Sequence, residues 1–78
     1  MDVSVAQSFG AVLATARTER GLTQERLAEK SGLHRTYISL IERGARQPTL
    51  SVLFDLSAAL GVQPSTLVRR TERLASSD

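Results

Sequence analysis

Several residue types that would point to a particular chemistry are missing from the sequence. It contains no cysteine, which excludes disulfides and thiolate metal sites, and its one histidine cannot form a metal cluster alone. No apolar run approaches the ~20 residues of a membrane span, and the first residues do not form a basic and then apolar signal peptide. The sequence therefore predicts a cytoplasmic protein that holds no metal or cofactor and contacts no membrane.

Catalytic sequence patterns are missing as well. No set of nucleophile, base and orienting residue is visible, and the carboxylates are scattered over the predicted helical faces. We therefore expect no catalytic residue and no small-molecule substrate, and we interpret the protein as a non-enzyme.

The length of the chain limits its architecture. The chain has 78 residues, which we interpret as one domain over residues 1–78 with a single core. A domain this small needs disulfides, a metal, very good helix packing or a partner subunit to be stable. Because the first two are excluded, tight helical packing combined with oligomerisation is the expected solution.

The charged residues are distributed unevenly, although the total charge is small. The formal net charge is +2, and nine of the ten basic residues are arginine. Arginine suits bidentate contacts with phosphate and guanine. Residues 35–46 contain three arginines and one acid, so we predict a local basic face on an otherwise nearly balanced domain.

Apolar periodicity predicts helices along the whole chain, with no strand signal. The first helix is marked by Phe9, Val12, Leu13 and Ala16 at i, i+3, i+4 and i+7 spacing. Capping and turn residues separate four more helical segments. The predicted helices run from about Val5 to Glu19, from after Thr23 to Lys30, from His34 or Arg35 to just before Gly44, from after Thr49 to Leu60, and from Pro64 to Leu74, with a polar tail at residues 76–78.

Residues 24–43 predict a helix-turn-helix. Ala28 falls where two steeply crossing helices approach most closely, and Gly32 falls at the end of the first, where a left-handed backbone favours glycine. Ile38 and Ile41 point toward the core. The outward positions at the start of the second helix carry polar side chains led by an arginine, which is what major-groove readout requires.

The joint spacing of Gln24, Ala28, Gly32, Ile38 and Ile41 resembles that of the Cro and phage-repressor helix-turn-helix domains, the XRE family. The resemblance covers about residues 9–67. It implies an all-α, compact five-helix lambda-repressor-like domain. It also implies a homodimer that binds double-stranded DNA at roughly palindromic operators and regulates transcription.

Within that family, the segment Arg35 to Ser39 (RTYIS), followed by Arg43 and Arg46, is most similar to the controller proteins of restriction–modification systems. These are small dimeric transcription regulators. Another small repressor or an antitoxin-type regulator is the alternative, because related proteins share much of this segment. A helix-turn-helix scaffold used only for protein–protein binding is the alternative from a different class.

The outward face of the second helix of the motif supplies the predicted base-reading residues. Arg35 is the strongest, since its guanidinium can bond guanine O6 and N7 together. Tyr37 either packs its ring at the helix end or places its hydroxyl on a base or phosphate, and Leu40 either touches a thymine methyl or shields the helix. The predicted base-reading set is Arg35, Thr36, Tyr37, Ser39 and Leu40.

Residues at the ends of the motif are expected to meet phosphates, and so to set affinity more than sequence choice. The resemblance implies a phosphate contact for Gln24. It also implies an ion pair between Arg17 and Glu42 that presents part of the guanidinium toward phosphate; two unrelated surface charges are the alternative. The predicted phosphate contacts are Arg17, Gln24, Arg43, Arg46 and Gln47.

The last part of the chain carries more apolar residues than one small domain can cover. The inward face of the fourth helix is predicted to consist of Leu50, Leu53, Leu56 and Leu60. The resemblance implies that surplus apolar surface on residues 61–75 pairs two subunits about a twofold axis; a monomer with an apolar flank is the alternative. The predicted dimer-interface residues are Phe54, Val62, Leu67, Val68 and Leu74.

Overall fold

The computed structural model of the protein describes residues 4–76, and five α-helices contain most of them. They are α1 (Val5–Glu19), α2 (Gln24–Ser31), α3 (Arg35–Glu42), α4 (Leu50–Leu60) and α5 (Pro64–Ala75). The all-α fold and the five predicted helices are confirmed, to within one or two residues at their ends. Of the predicted tail, Ser76 follows α5 as its cap, while residues 77–78, like residues 1–3, lie outside the described residues.

Hydroxyl side chains fix where three of the helices begin. The side-chain oxygens of Ser4, Thr23 and Thr49 accept the backbone N–H of the third helical residue at 2.9, 3.0 and 3.2 Å. A cap of this kind stabilises its helix by about 1 kcal/mol. The caps at Thr23 and Thr49 and the position of Pro64 in the first turn of α5 are as predicted.

The core lies between the five helices. Helix α1 packs against α3 and α5, α2 packs against α3 and α4, and α4 packs against α5. The core residues are Phe9, Val12, Leu13, Ala16, Leu27, Ala28, Ile38, Ile41, Leu53, Leu56, Leu60 and Leu67. Among the described residues, no single helix is long and apolar enough to cross a membrane; α4 and α5 meet that test only together, across a 108° bend.

Leu50 is not part of the core, so its predicted inward position is wrong. Its side chain is 71% exposed. The buried stripe of α4 consists of Leu53, Leu56, Ser57 and Leu60. At about 100° per residue, Leu50 lies about 70° from the centre of this stripe, at its edge and in the first turn. Ser57 lies on the inward face, where its hydroxyl donates to the Leu53 carbonyl at 2.8 Å.

Gly10 brings α1 and α3 into direct backbone contact. A β-carbon at this position would clash with the carbonyl oxygens of Ile41 and Glu42, and would lie 2.6 Å from the latter. Glycine in the middle of a helix weakens that helix by roughly 0.5–1 kcal/mol relative to alanine. The close approach explains its presence here, because any larger residue would push α1 away from the last turn of α3.

Candidate nucleic-acid interface

Helix α3 buries one side and exposes the other. Ile38 and Ile41 are fully buried, and Gly32 turns the chain between α2 and α3 with a φ of 73°, as predicted. At about 100° per residue, the remaining positions form an exposed arc that faces away from the core. Arg35 and Thr36 on this arc are exposed, and Tyr37, Ser39 and Leu40 are half-buried. The structure therefore brings the five predicted base-reading residues onto one helix surface.

His34 fixes the start of α3. Its Nδ1 atom accepts the Thr36 backbone N–H at 3.3 Å, and its carbonyl oxygen accepts the backbone N–H groups of Tyr37 and Ile38 at 3.0 and 3.2 Å. Capping requires an Nδ1 that carries no proton, so the imidazole acts as an acceptor here. The interpretation of His34 as a helix-start residue is confirmed.

The end of α3 is a Schellman turn. The Gly44 N–H donates to the Ile41 carbonyl at 3.0 Å, and the Ala45 N–H donates to the Leu40 carbonyl at 2.9 Å. Gly44 has a φ of 75°, and a β-carbon there would lie 2.8 Å from the side chain of Gln7 in α1. Both the backbone conformation and the packing therefore require glycine. The exposed residues of this turn include the predicted phosphate contacts Arg43, Arg46 and Gln47.

A hydrogen-bonded cluster joins α3 to α1 and α2. The Glu42 carboxylate accepts from Arg17 Nε at 2.7 Å, from Arg17 Nη2 at 3.1 Å and from Gln24 Nε2 at 2.9 Å. Arg17 Nη1 donates to the Leu22 carbonyl at 2.8 Å. The Glu42 hydrogen bonds raise the pKa of the Arg17 guanidinium, outweighing the opposing effect of its partial burial. The predicted ion pair between Arg17 and Glu42 is confirmed.

This cluster limits what Arg17 and Gln24 can offer a ligand. Three of the five N–H groups of Arg17 are bonded inside the protein, and one N–H of the Gln24 amide is held by Glu42. Phosphate contacts for Arg17 and Gln24 stay predictions, and they would use the remaining N–H groups. The structural role of both residues is to fix the orientation of α3.

Comparison with known proteins identifies this arrangement. A helix-turn-helix family model matches residues 13–67, which include all of α2, α3 and α4. The chain belongs to the helix-turn-helix family of transcriptional regulators. The regulator is 44% identical over 63 residues to the HTH-type transcriptional regulator y4dJ of Sinorhizobium fredii, which covers 81% of this chain and 82% of that protein.

Solved structures similar to the regulator include restriction–modification controller proteins. C.AhdI from Aeromonas hydrophila is 42% identical, with a TM-score of 0.78 over 80% of this chain and 94% of the other. C.Esp1396I, solved as a tetramer with its natural 35 base-pair operator, is 35% identical, with a TM-score of 0.82 over 91% and 93%. These likenesses confirm the five-helix fold and the resemblance to controller proteins.

The regulator exposes an apolar patch on α4, α5 and the start of α1. We define this apolar patch by Val5, Leu50, Phe54 and Val68, which are 58%, 71%, 55% and 49% exposed. Its residues line two neighbouring depressions that share Leu50, Leu53 and Val68. Phe54 and Val68 were predicted as interface residues, whereas Val5 and Leu50 were not.

The other three predicted interface residues lie outside the apolar patch. Leu67 is fully buried in the core, so its assignment to a dimer interface is wrong. Val62 is half-buried against the core in the turn between α4 and α5. Leu74 is 44% exposed but borders Ala11 of α1, and it lies about 120° around α5 from Val68. The dimer interface stays a prediction, and the apolar patch contains only Phe54 and Val68 of the five predicted residues.

Two features of this site escaped sequence reasoning. The first is Gly10, which has the signal of a mid-helix glycine but whose role depends on α3 crossing it. The second is a contact between Arg46 and Tyr37, in which the Arg46 Cζ atom lies 5.3 Å from the centroid of the tyrosine ring. No sequence period links a residue in the first turn of a helix to one in the turn that follows it.

Proposed function

We propose that the protein binds double-stranded DNA as a homodimer at roughly palindromic operators and thereby regulates transcription. The observation that carries this proposal is the exposed arc of α3, which presents Arg35, Thr36 and Ser39. Helix α3 itself is held in place by two buried isoleucines and by the Glu42 cluster. A polar helix face on a rigid support suits the reading of base edges in the major groove.

Each residue of the arc is assigned a contact by its chemistry. Arg35, at the first position of α3, has a planar guanidinium that can donate to both major-groove acceptors of guanine. Thr36 and Ser39 offer hydroxyls to base edges, Leu40 offers an apolar surface to a thymine methyl, and Tyr37 offers its phenol hydroxyl. Phosphate contacts are assigned to Arg43, Arg46 and Gln47, and to the remaining N–H groups of Arg17 and Gln24.

Dimerisation is assigned to the apolar patch. Two copies paired through Phe54, Val68 and their neighbours would remove from water four side chains that are each about half or more exposed. A twofold pair presents two α3 helices, which suits half-sites about one helical turn, ~34 Å, apart. Linking two half-sites makes their binding energies act together, so a weak contact at each becomes a stable complex.

Among transcription regulators, we assign the protein to the controller proteins of restriction–modification systems. Support comes from the RTYIS segment at residues 35–39 and from the similarity to C.AhdI and C.Esp1396I over nearly their whole chains. Such a regulator acts in the cytoplasm, where its DNA lies, and we assign it no catalytic activity.

Binding to random duplex DNA, measured by fluorescence anisotropy across a salt series, tests the proposal. We expect affinity to fall steeply between about 50 and 200 mM salt, because phosphate contacts release counterions. Selection from a random pool should then recover a motif with two related half-sites. The matched control is Arg73→Ala, which removes an exposed arginine of α5 that lies outside the apolar patch and should leave the salt slope unchanged. Absence of duplex binding at the lowest salt would contradict the proposal in favour of a protein-binding scaffold.

A further inference from the structure

The contact between Arg46 and Tyr37 joins the base-reading arc to the turn beyond it. Tyr37 is the third residue of α3, whereas Arg46 follows the end of that helix. Arg46 comes after the Schellman turn at Gly44, and its Cζ atom lies 5.3 Å from the tyrosine ring centroid. A residue predicted only to meet phosphate therefore touches a residue predicted to meet bases.

The ring of Tyr37 is held from two sides. It is half-buried and packs against the hydrophobic core, and the Arg46 guanidinium lies over it. A guanidinium within about 6 Å of an aromatic centroid is attracted by the ring electrons. Tyr37 lies at the edge of the exposed arc, about 40° around α3 from the buried Ile41, so the position of its ring decides where its hydroxyl lies.

We propose that Arg46 determines base specificity by positioning Tyr37, an inference that rests on the proposed DNA-binding function. The guanidinium over the ring has five N–H groups, and those that point away from the ring can donate to a phosphate. A phosphate held by Arg46 thus clamps the ring beneath it. A backbone contact that carries no sequence information then fixes a side chain that does.

The contact itself is tested on the free protein by NMR. Tyr37 is the only tyrosine in the chain, so its ring resonances report on this site alone. We expect the Arg46 side-chain protons to be shifted upfield by the ring in the parent protein and in Tyr37→Phe, but not in Tyr37→Leu. Arg46→Ala should shift the tyrosine ring resonances, and Arg43→Ala should not. Identical Arg46 shifts in the parent and in Tyr37→Leu would overturn the proposal.

Its effect on specificity is tested with a panel of operators, each changed at one base pair. Arg43→Ala, the matched control, should lose affinity by a similar factor on every operator. Arg46→Ala should lose affinity too. Tyr37→Phe should relax the preference at one base step, and Arg46→Ala should reduce discrimination at that same step about 3- to 10-fold. The variant that combines Arg46→Ala with Tyr37→Phe should discriminate between the operators no less than Tyr37→Phe alone. Arg46→Lys keeps the charge without the planar face, so it should recover affinity more than discrimination.

Each remaining outcome decides the question. If the parent binds selectively but both Arg46 variants lose affinity equally on every operator, the inference is overturned and the proposed function stands. A Tyr37→Phe variant that relaxes no base step overturns it as well. A parent protein that selects no operator defeats the proposed function and the inference together. Circular dichroism would show whether each variant is folded. If Arg46→Ala loses helicity, the comparison is made with Arg46→Lys instead.

Discussion

Replacing Glu42 with alanine removes the acceptor that joins α1, α2 and α3. It breaks two hydrogen bonds from Arg17 and one from Gln24, while Arg17 keeps its bond to the Leu22 carbonyl. The Arg17 side chain is 18% exposed, so water reaches part of the guanidinium left behind. The variant therefore contains a partly buried positive charge that has lost its counter-ion.

The size of the effect follows from this intermediate burial. Removing one partner of a fully buried ion pair costs about 3–5 kcal/mol, and removing one from an exposed pair costs under about 1 kcal/mol. Glu42 is only 7% exposed, which places the pair nearer the buried limit. We expect Glu42→Ala to lower the free energy of unfolding by about 2–3 kcal/mol, and Tm by roughly 10–20 °C.

Thermal and urea unfolding, followed by circular dichroism, would measure this loss. The variants must be compared at one protein concentration, because the proposed dimerisation would add to stability. The matched control is Glu19→Ala, which breaks the exposed Arg70–Glu19 pair, whose side chains are 42% and 57% exposed. That change should cost under about 1 kcal/mol. A double-mutant cycle between Arg17 and Glu42 should give a coupling of about 1 kcal/mol or more.

Two results would refute this reasoning. Glu42→Ala could prove no less stable than Glu19→Ala, or the cycle could show no coupling between Arg17 and Glu42. Either result would mean that the cluster does not hold α3 in place, and that the buried isoleucines and the contact at Gly10 orient the helix without it.

Three further predictions address base reading, helix contact and assembly. Arg35→Ala should lose about 1–3 kcal/mol of specific binding and relax one base step per half-site, which a selection experiment would show. Gly10→Ala should unfold at a lower temperature than Gly21→Ala. The first creates a backbone clash, whereas the second meets no atom within 4 Å and costs only the strain of a φ of 68°, about 1–2 kcal/mol; a Gly10→Ala variant at least as stable as Gly21→Ala would contradict the close approach. Val68→Asp should sediment as a folded monomer with weakened operator binding, whereas Leu74→Asp, on the other flank of α5, should remain dimeric; the opposite pattern would move the interface.

The helices were predictable because their signals are local. Thr23 and Thr49 cap helices whose starts the sequence marks with a hydroxyl before an apolar repeat. Gly32 follows the last residue of α2 for reasons of backbone conformation that need no knowledge of the rest of the fold. The buried side of α3 follows from the three-residue spacing of Ile38 and Ile41. Local sequence patterns were therefore enough to predict the helix-turn-helix and the face that it exposes.

The assignments that failed depend on neighbouring helices. Leu50 and Leu67 are both apolar and periodic, yet the first is exposed and the second is buried. The helix that covers each flank of α4 or α5 decides between these positions, and spacing along one helix does not contain that information. Gly10 was missed for the same reason, since its role lies in the carbonyl oxygens of α3 that cross it.

Entry of α3 into the major groove can be measured by the protection of guanine N7 from methylation on a selected operator. We expect two clusters of protected guanines on one face of the duplex, with centres about one helical turn, ~34 Å, apart. The Arg35→Ala variant should lose protection within each cluster. Protection that avoids guanine N7, or that is unchanged in Arg35→Ala, would contradict the entry of α3 into the groove.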